Sequence, residues 1–195
     1  MEKQKQKAEL DELKKQVSDC QQCELSKTRK NIVFGEGNPN ADIMVIGEAP
    51  GANEDEQGRP FVGKAGNLVT EVLESVNLTR GEVYISNVCK CRPPENNLNQ
   101  HQSAVDACEA YLQKEIAIIK PKFILALGLT AAKSLLKKQI SQNDLMSNIH
   151  GKVFDYQDTK ILVTYHPTAR ISPLDIILAD VRQIPEIINP NSKEV

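Results

Sequence analysis

The chain has 195 residues, a formal net charge of −2, five cysteines, three histidines and no tryptophan, and only 4% of it is aromatic. That length suffices for one compact domain whose core is filled by Ile, Leu, Val and Ala. No apolar run approaches the roughly 18 residues of a membrane span. The polar opening MEKQKQKAELDELKKQ carries no signal-peptide pattern, and the charge balance excludes a broadly basic surface while leaving room for a local basic patch.

Residues 3–18 read as a polar helix, because Leu10, Leu13 and Val17 recur on one stripe. The helix runs into the pair Cys20-Gln-Gln-Cys23. A short apolar run ending in glycine, 42–47, reads as a buried strand. A long connector follows, and then a helix over 65–77 with Leu68, Val69, Val72, Leu73 and Val76 on one face. The β-branched stretch 83–88 is a second strand. Residues 100–119 form a helix that Pro121 ends. A third strand, 123–128, leads directly into a helix at 130–138. A fourth strand spans 160–165, a last helix spans 174–183, and 186–195 form an expected flexible tail.

Strands alternate with helices, and the strands are nearly continuous apolar runs. This pattern predicts an α/β fold of three layers, α/β/α, around a central four-stranded parallel sheet, with 1–195 as a single domain. In such sheets the site lies beyond the carboxyl ends of the strands. The segments after strands one, two and four, which carry Gly47-Glu48, Asn87 and His166, should therefore converge on one rim. The connector between residues 48 and 63 is long for a compact domain, and long loops are commonly functional. It holds Glu54, Asp55, Glu56 and Phe61. Phe61 is either core or a stacking platform for a flat base. An Asn amide such as that of Asn87 can both donate to a carbonyl and accept from a ring N–H, which suits a pyrimidine edge.

Cys20, Cys23, Cys91 and Cys108 are four thiols of a set that can hold a [4Fe–4S] cluster or a structural zinc ion. A redox dithiol and plain buried cysteines are the competing readings.

The motifs G-E-A-P-G (47–51), E-D (54–55), G-R-P-F-V-G-K-A-G (58–66), Y-I-S-N-V-x-K-C-R-P-P (84–94) and Y-H-P-T-A (165–169), together with the four cysteines, resemble family 4 uracil-DNA glycosylases, the iron–sulfur members of their superfamily. The resemblance covers about residues 8–183. It implies a monofunctional enzyme that hydrolyses the N-glycosidic bond of deoxyuridine in DNA during base excision repair, with the base flipped into a pocket and water attacking C1′. It implies catalytic roles for Glu48, which would orient or activate the water, and His166, which would bond the uracil carbonyl. Gly47, Phe61 and Asn87 would bind the base, and Cys20, Cys23, Cys91 and Cys108 would hold a [4Fe–4S] cluster.

The implied partner is uracil-containing DNA, single- or double-stranded. The protein is expected to act as a monomer, away from membranes, in the cytoplasm and on the nucleoid. Lys90 and Arg92 beside Cys91, and Lys27, Arg29 and Lys30 after Cys23, are candidate phosphate contacts. Arg170 and Ile171 are candidates for the residue that wedges into a duplex. Two departures stand out. Cys89 occupies a place where the family usually has an aliphatic residue, though the spacing from Cys23 suits Cys91 better as a ligand. His101 falls near a position where a covalently trapping relative carries a His in a basic insertion, but P-E-N-N-L-N-Q-H-Q is not basic, so His101 is expected at the surface or at a helix start.

Overall fold

The computed structural model describes residues 2–168 and 174–188. Six strands, β1 (Glu36–Gly37), β2 (Ile43–Gly47), β3 (Tyr84–Asn87), β4 (Phe123–Leu127), β5 (Val153–Tyr156) and β6 (Thr159–Thr164), form one sheet. Their order is β1-β3-β2-β4-β6-β5. The four central strands are the parallel set expected from the apolar runs. The sheet is nevertheless mixed and six-stranded, since β1 and β5 add antiparallel edges, so the expectation of four parallel strands alone is corrected. The edges escaped a sequence reading for a physical reason. β1 is two residues long, β5 alternates exposed and half-exposed residues, and the β5–β6 turn uses Gln157 at positive φ, where glycine or asparagine would be the usual signal.

Alternation along the central strands divides the core. Met44, Ile46, Ile124, Ala126, Ile161 and Val163 pack with the apolar faces of α1 (Glu2–Ser18), α4 (Gln102–Ile119) and α5 (Leu129–Leu135). Ile43, Val45, Phe123, Leu125, Leu127 and Leu162 pack with α3 (Lys64–Glu74) and α7 (Leu174–Val181). Both faces of the sheet centre are covered, which is why the four central strands are nearly continuous apolar runs.

Two short helices, α2 (Ala52–Gln57) and α6 (Met146–Ile149), were not expected. The first three residues of the expected flexible tail belong to α8 (Ile184–Ile188); the remainder, 189–195, lies outside the described residues. Arg170 and Ile171 also lie outside them. Among the described residues, no helix is long and apolar enough to cross a membrane.

Candidate active site

Parallel register places the site. Gly47 lies beside Asn87, and pairing continues past the strand ends, with Val88 N donating to Gly47 O and Cys89 N to Glu48 O, both at 2.9 Å. On the other side of the sheet centre, Gly128 N donates to Thr164 O at 2.8 Å, which brings the His166 segment to the same rim. The expected convergence is present. Glu48, Phe61, Asn87 and His166 all line one cavity of about 320 Å³, together with Pro50, Glu54, Ala65, Pro93, Asn96 and Thr168. That volume is in the range of small-ligand sites.

Glycines make room for these side chains. A Cβ on Gly47 would sit 2.4 Å from Phe61 Cζ and 2.6 Å from Asn87 Oδ1, so any other residue there would displace the cavity floor. Gly128 has φ +89°, and a Cβ there would lie 2.9 Å from His166 Cβ.

Phe61 is a core residue whose side chain also lines the cavity. It belongs to the core on the α3 side and is 6% exposed, yet its ring lies over His166 at a centroid distance of 6.0 Å and an angle of 30°. Its φ is +52°, a conformation that costs a non-glycine residue about 1–2 kcal/mol. The surrounding loop enforces it. Glu54 Oε1 accepts from Val62 N at 2.9 Å and Gly63 N at 2.7 Å, while its Oε2 accepts from Gly51 N at 3.1 Å. Arg80 donates to Pro60 O at 3.0 Å. Asp55 in turn accepts from the backbone N–H groups of Lys30 and Asn31. Glu54 and Asp55 of the long connector are therefore loop clamps, while Glu48 and Glu54 both line the cavity.

Asn87 is 2% exposed, and its Oδ1 has no hydrogen-bond partner among the described residues. A buried carbonyl in that state costs about 1–3 kcal/mol. Burial pushes the His166 imidazole below its ordinary pKa, against the opposing pull of the Glu48 and Glu54 carboxylates, and the ring is neutral near pH 7. Thr130 Oγ1 donates to Glu48 Oε2 at 2.6 Å. The sequence reading left Thr130 out because it used the ends of only three strands. The end of β4, between β2 and β6, must lie on the same rim, and that rule alone would have found the residue.

Cys20, Cys23, Cys91 and Cys108 line a second, small cavity with Arg29, Ile32, Lys90 and Tyr111. They arrive from the end of α1, the segment after β3, and α4, so the cavity joins three parts of the chain. Arg29 Nη1 donates to Cys91 Sγ at 3.4 Å, and Tyr111 Oη to Cys20 Sγ at 3.6 Å. Cys89 is buried outside that lining. Cys89 and, with it, Lys90 bring the Cys108 pKa down to about 6; burial pushes Cys91 up to about 11. Four sulfurs around one cavity, with donors aimed at two of them, fit a group held by thiolates. Among the described residues, no three His, Cys, Asp or Glu side chains are grouped to hold a single metal ion.

The candidate phosphate contacts divide. Lys90 is corrected: it is 0% exposed, and its Nζ donates to Ser86 Oγ at 2.7 Å, to Asn87 O at 2.8 Å and to the Glu115 carboxylate. It lies beyond the end of β3 in a stretch buried from 83 to 91, and Glu115 on α4 supplies its counter-charge. Arg29 is committed to the cysteine cavity, with Nη2 donating to Cys20 O at 2.7 Å. Lys30 and Lys27 are exposed, the former paired with Glu56. Arg92 is partly exposed, and its Nε donates at 2.8 Å to Asn96, which lines the main cavity. His101 precedes the first turn of α4 and bonds Glu24 Oε1 at 2.9 Å, the helix-start role expected of it.

The strand-end pocket brings together an aromatic ring, a buried amide, a neutral His and a carboxylate. The chain belongs to the uracil-DNA glycosylase superfamily: a model of the Uracil DNA glycosylase superfamily matches residues 34–175. Among its relatives, the type-4 uracil-DNA glycosylase of Pyrobaculum aerophilum is 44% identical over 165 residues, 83% of this chain and 84% of that protein. The type-4 enzyme of Saccharolobus solfataricus is 42% identical over 188 residues, 92% of this chain and 87% of its own. A type-5 uracil-DNA glycosylase of Pyrobaculum aerophilum is more distant, at 30% identity over 72% of this chain and 65% of that protein.

Proposed function

We propose that this chain is a single-domain, monofunctional type-4 uracil-DNA glycosylase that releases uracil from DNA and leaves an abasic site. The observation that carries the reading is the buried, unpartnered Asn87 Oδ1 in a cavity shared with Phe61, Glu48 and His166. Uracil supplies the missing donor: its N3–H can bond Oδ1, and the amide N–H of Asn87 can bond O4. Cytosine presents an amino donor to that N–H instead, and a mismatch of this kind gives strong rejection.

The geometry suggests the order of events. The deoxyuridine is extruded from the stack and laid on Phe61. As the C1′–N1 bond breaks, the sugar becomes cationic and the base anionic. The neutral His166 donates an N–H to the carbonyl oxygen where that charge collects. Glu48, whose Oε2 is held by Thr130, aligns a water with its free oxygen and accepts the proton as oxygen bonds to C1′.

Cys20, Cys23, Cys91 and Cys108 would hold a [4Fe–4S] cluster, each thiolate taking one iron, so that four sulfurs surround a volume rather than meet at a point. When bound, the cluster supplies iron–thiolate bonds that tie the end of α1 to the β3 exit and α4. The protein should then be brown. Cys91→Ala should bleach it, and Cys89→Ala should leave the visible absorbance in place; the opposite pattern would make Cys89 the ligand.

The direct test of the glycosylase reading uses a labelled oligonucleotide with one deoxyuridine, followed by alkali, with a cytosine control. Scission only at uracil is expected. Asn87→Asp should admit cytosine, because a protonated carboxyl can donate to the N3 of that base while its carbonyl accepts from the amino group. Unchanged selectivity in that variant would remove Asn87 from base reading.

A further inference from the structure

Glu48 stands on a partition. It lines the base cavity, and it also lines a groove of about 610 Å³ on the other side, bounded by α4 and α5, in which Thr130, Asn99, Gln102, Lys133 and Lys137 appear. Thr130 lines the groove and not the base cavity. Its hydroxyl, 2.6 Å from Glu48 Oε2, therefore holds one carboxylate oxygen on the groove side. The carboxylate is planar, so fixing Oε2 there presents Oε1 to the base cavity.

We infer that Thr130 is a positioning residue for Glu48, setting which carboxylate oxygen meets the attacking water. The inference rests on the glycosylase reading for its effect on rate, and on geometry alone for its effect on the side chain. Glu48 follows the last residue of β2 and has free rotation about its side-chain bonds. Without the hydroxyl, the carboxylate is free to turn into the groove, whose lining includes Lys133, donating to Gln142 O, and Lys137, paired with Glu109. The helix that carries Thr130 starts directly after Gly128, whose conformation also places His166. One turn thus sets both the group that receives negative charge and the group that directs water to the positive carbon. A nucleophile displaced by about 1 Å can lose 100-fold in rate without losing binding.

The test compares Thr130→Val, which exchanges the hydroxyl for a methyl at nearly constant shape, with Thr130→Ser, which keeps it. Single-turnover uracil release should fall by about 10- to 100-fold in Thr130→Val. Thr130→Ser should remain within about threefold of wild type, and the affinity of both for a non-cleavable 2′-fluorodeoxyuridine oligonucleotide should hold within the same margin. In Glu48→Ala, adding Thr130→Val should cost nothing further. Equal losses in the Ser and Val variants, or an unchanged rate in Thr130→Val, would overturn the inference. Crystal structures of wild type and Thr130→Val give an arm independent of turnover. Glu48 should occupy one rotamer in the first and turn or split in the second, and an unmoved carboxylate would refute positioning. A wild-type protein that releases no uracil would overturn the glycosylase reading instead, and the Glu48 rotamers would still decide this one.

Discussion

Replacing His166 with alanine is expected to lower the rate of uracil release by about 100- to 1000-fold, the usual effect of removing one donor from a site where negative charge develops. The fold should survive, and with it the brown colour expected of the cluster proposed above, since His166 lies at the main cavity and not among the cysteines. The loss should appear in the single-turnover rate far more than in affinity for uncleaved DNA, because the bond from His166 strengthens only as the base becomes an anion. Equal losses in rate and affinity would mean that the ring serves only to hold the base. The pH profile follows from the same burial. The folded-state pKa of His166 lies below its ordinary value of 6.5. Activity that depends on neutral His166 should therefore persist as pH falls through 6.5 and decline only below it. Stability carries the same sign: in the window beneath 6.5 the unfolded chain takes up a proton that the folded chain refuses, so the contribution present above 6.5 is lost as pH falls. A rate that drops at the ordinary histidine pKa would show a solvated ring.

The second large effect concerns stability. Lys90→Met should destabilise the protein by about 3–5 kcal/mol, because it leaves the Glu115 carboxylate, itself 0% exposed, buried without its counter-charge. Ser86 and Tyr84 would still donate to it, at 3.0 Å and 3.2 Å, but neither neutralises it. For a chain of this length the melting temperature should fall by about 6–20 °C. Lys90→Met combined with Glu115→Leu should recover most of that loss, since replacing both charges removes the desolvation penalty along with the attraction. An unchanged melting temperature in Lys90→Met would mean that water reaches Glu115. The variant should also loosen base selection, because Lys90 Nζ bonds the backbone carbonyl of Asn87 at 2.8 Å.

Lys90 shows where a one-dimensional reading fails. Beside Cys91 and Arg92 in a polar stretch, it looks like a surface cation. Its burial depends on Glu115, which comes from a helix with its own solvent-facing periodicity, and no local pattern links the two. Glu54 and Asp55 show the converse. Acids in a long glycine-rich loop suggest chemistry, whereas they accept backbone N–H groups that the loop would otherwise leave unpaired.

Apolar runs, helical stripes and strand-end motifs by themselves determined the α/β class, the four central strands, and the rim on which Glu48, Asn87 and His166 meet. These are properties of periodicity and of residue type at strand ends, and both are written in sequence order. Tertiary structure alone decided the antiparallel edges, the turning inward of Lys90, the left-handed backbone that aims the Phe61 ring, and the bond from Thr130 to Glu48. Each depends on a partner far along the chain or on a backbone angle that residue type does not encode, because hydrogen bonds and ion pairs form between neighbours in space.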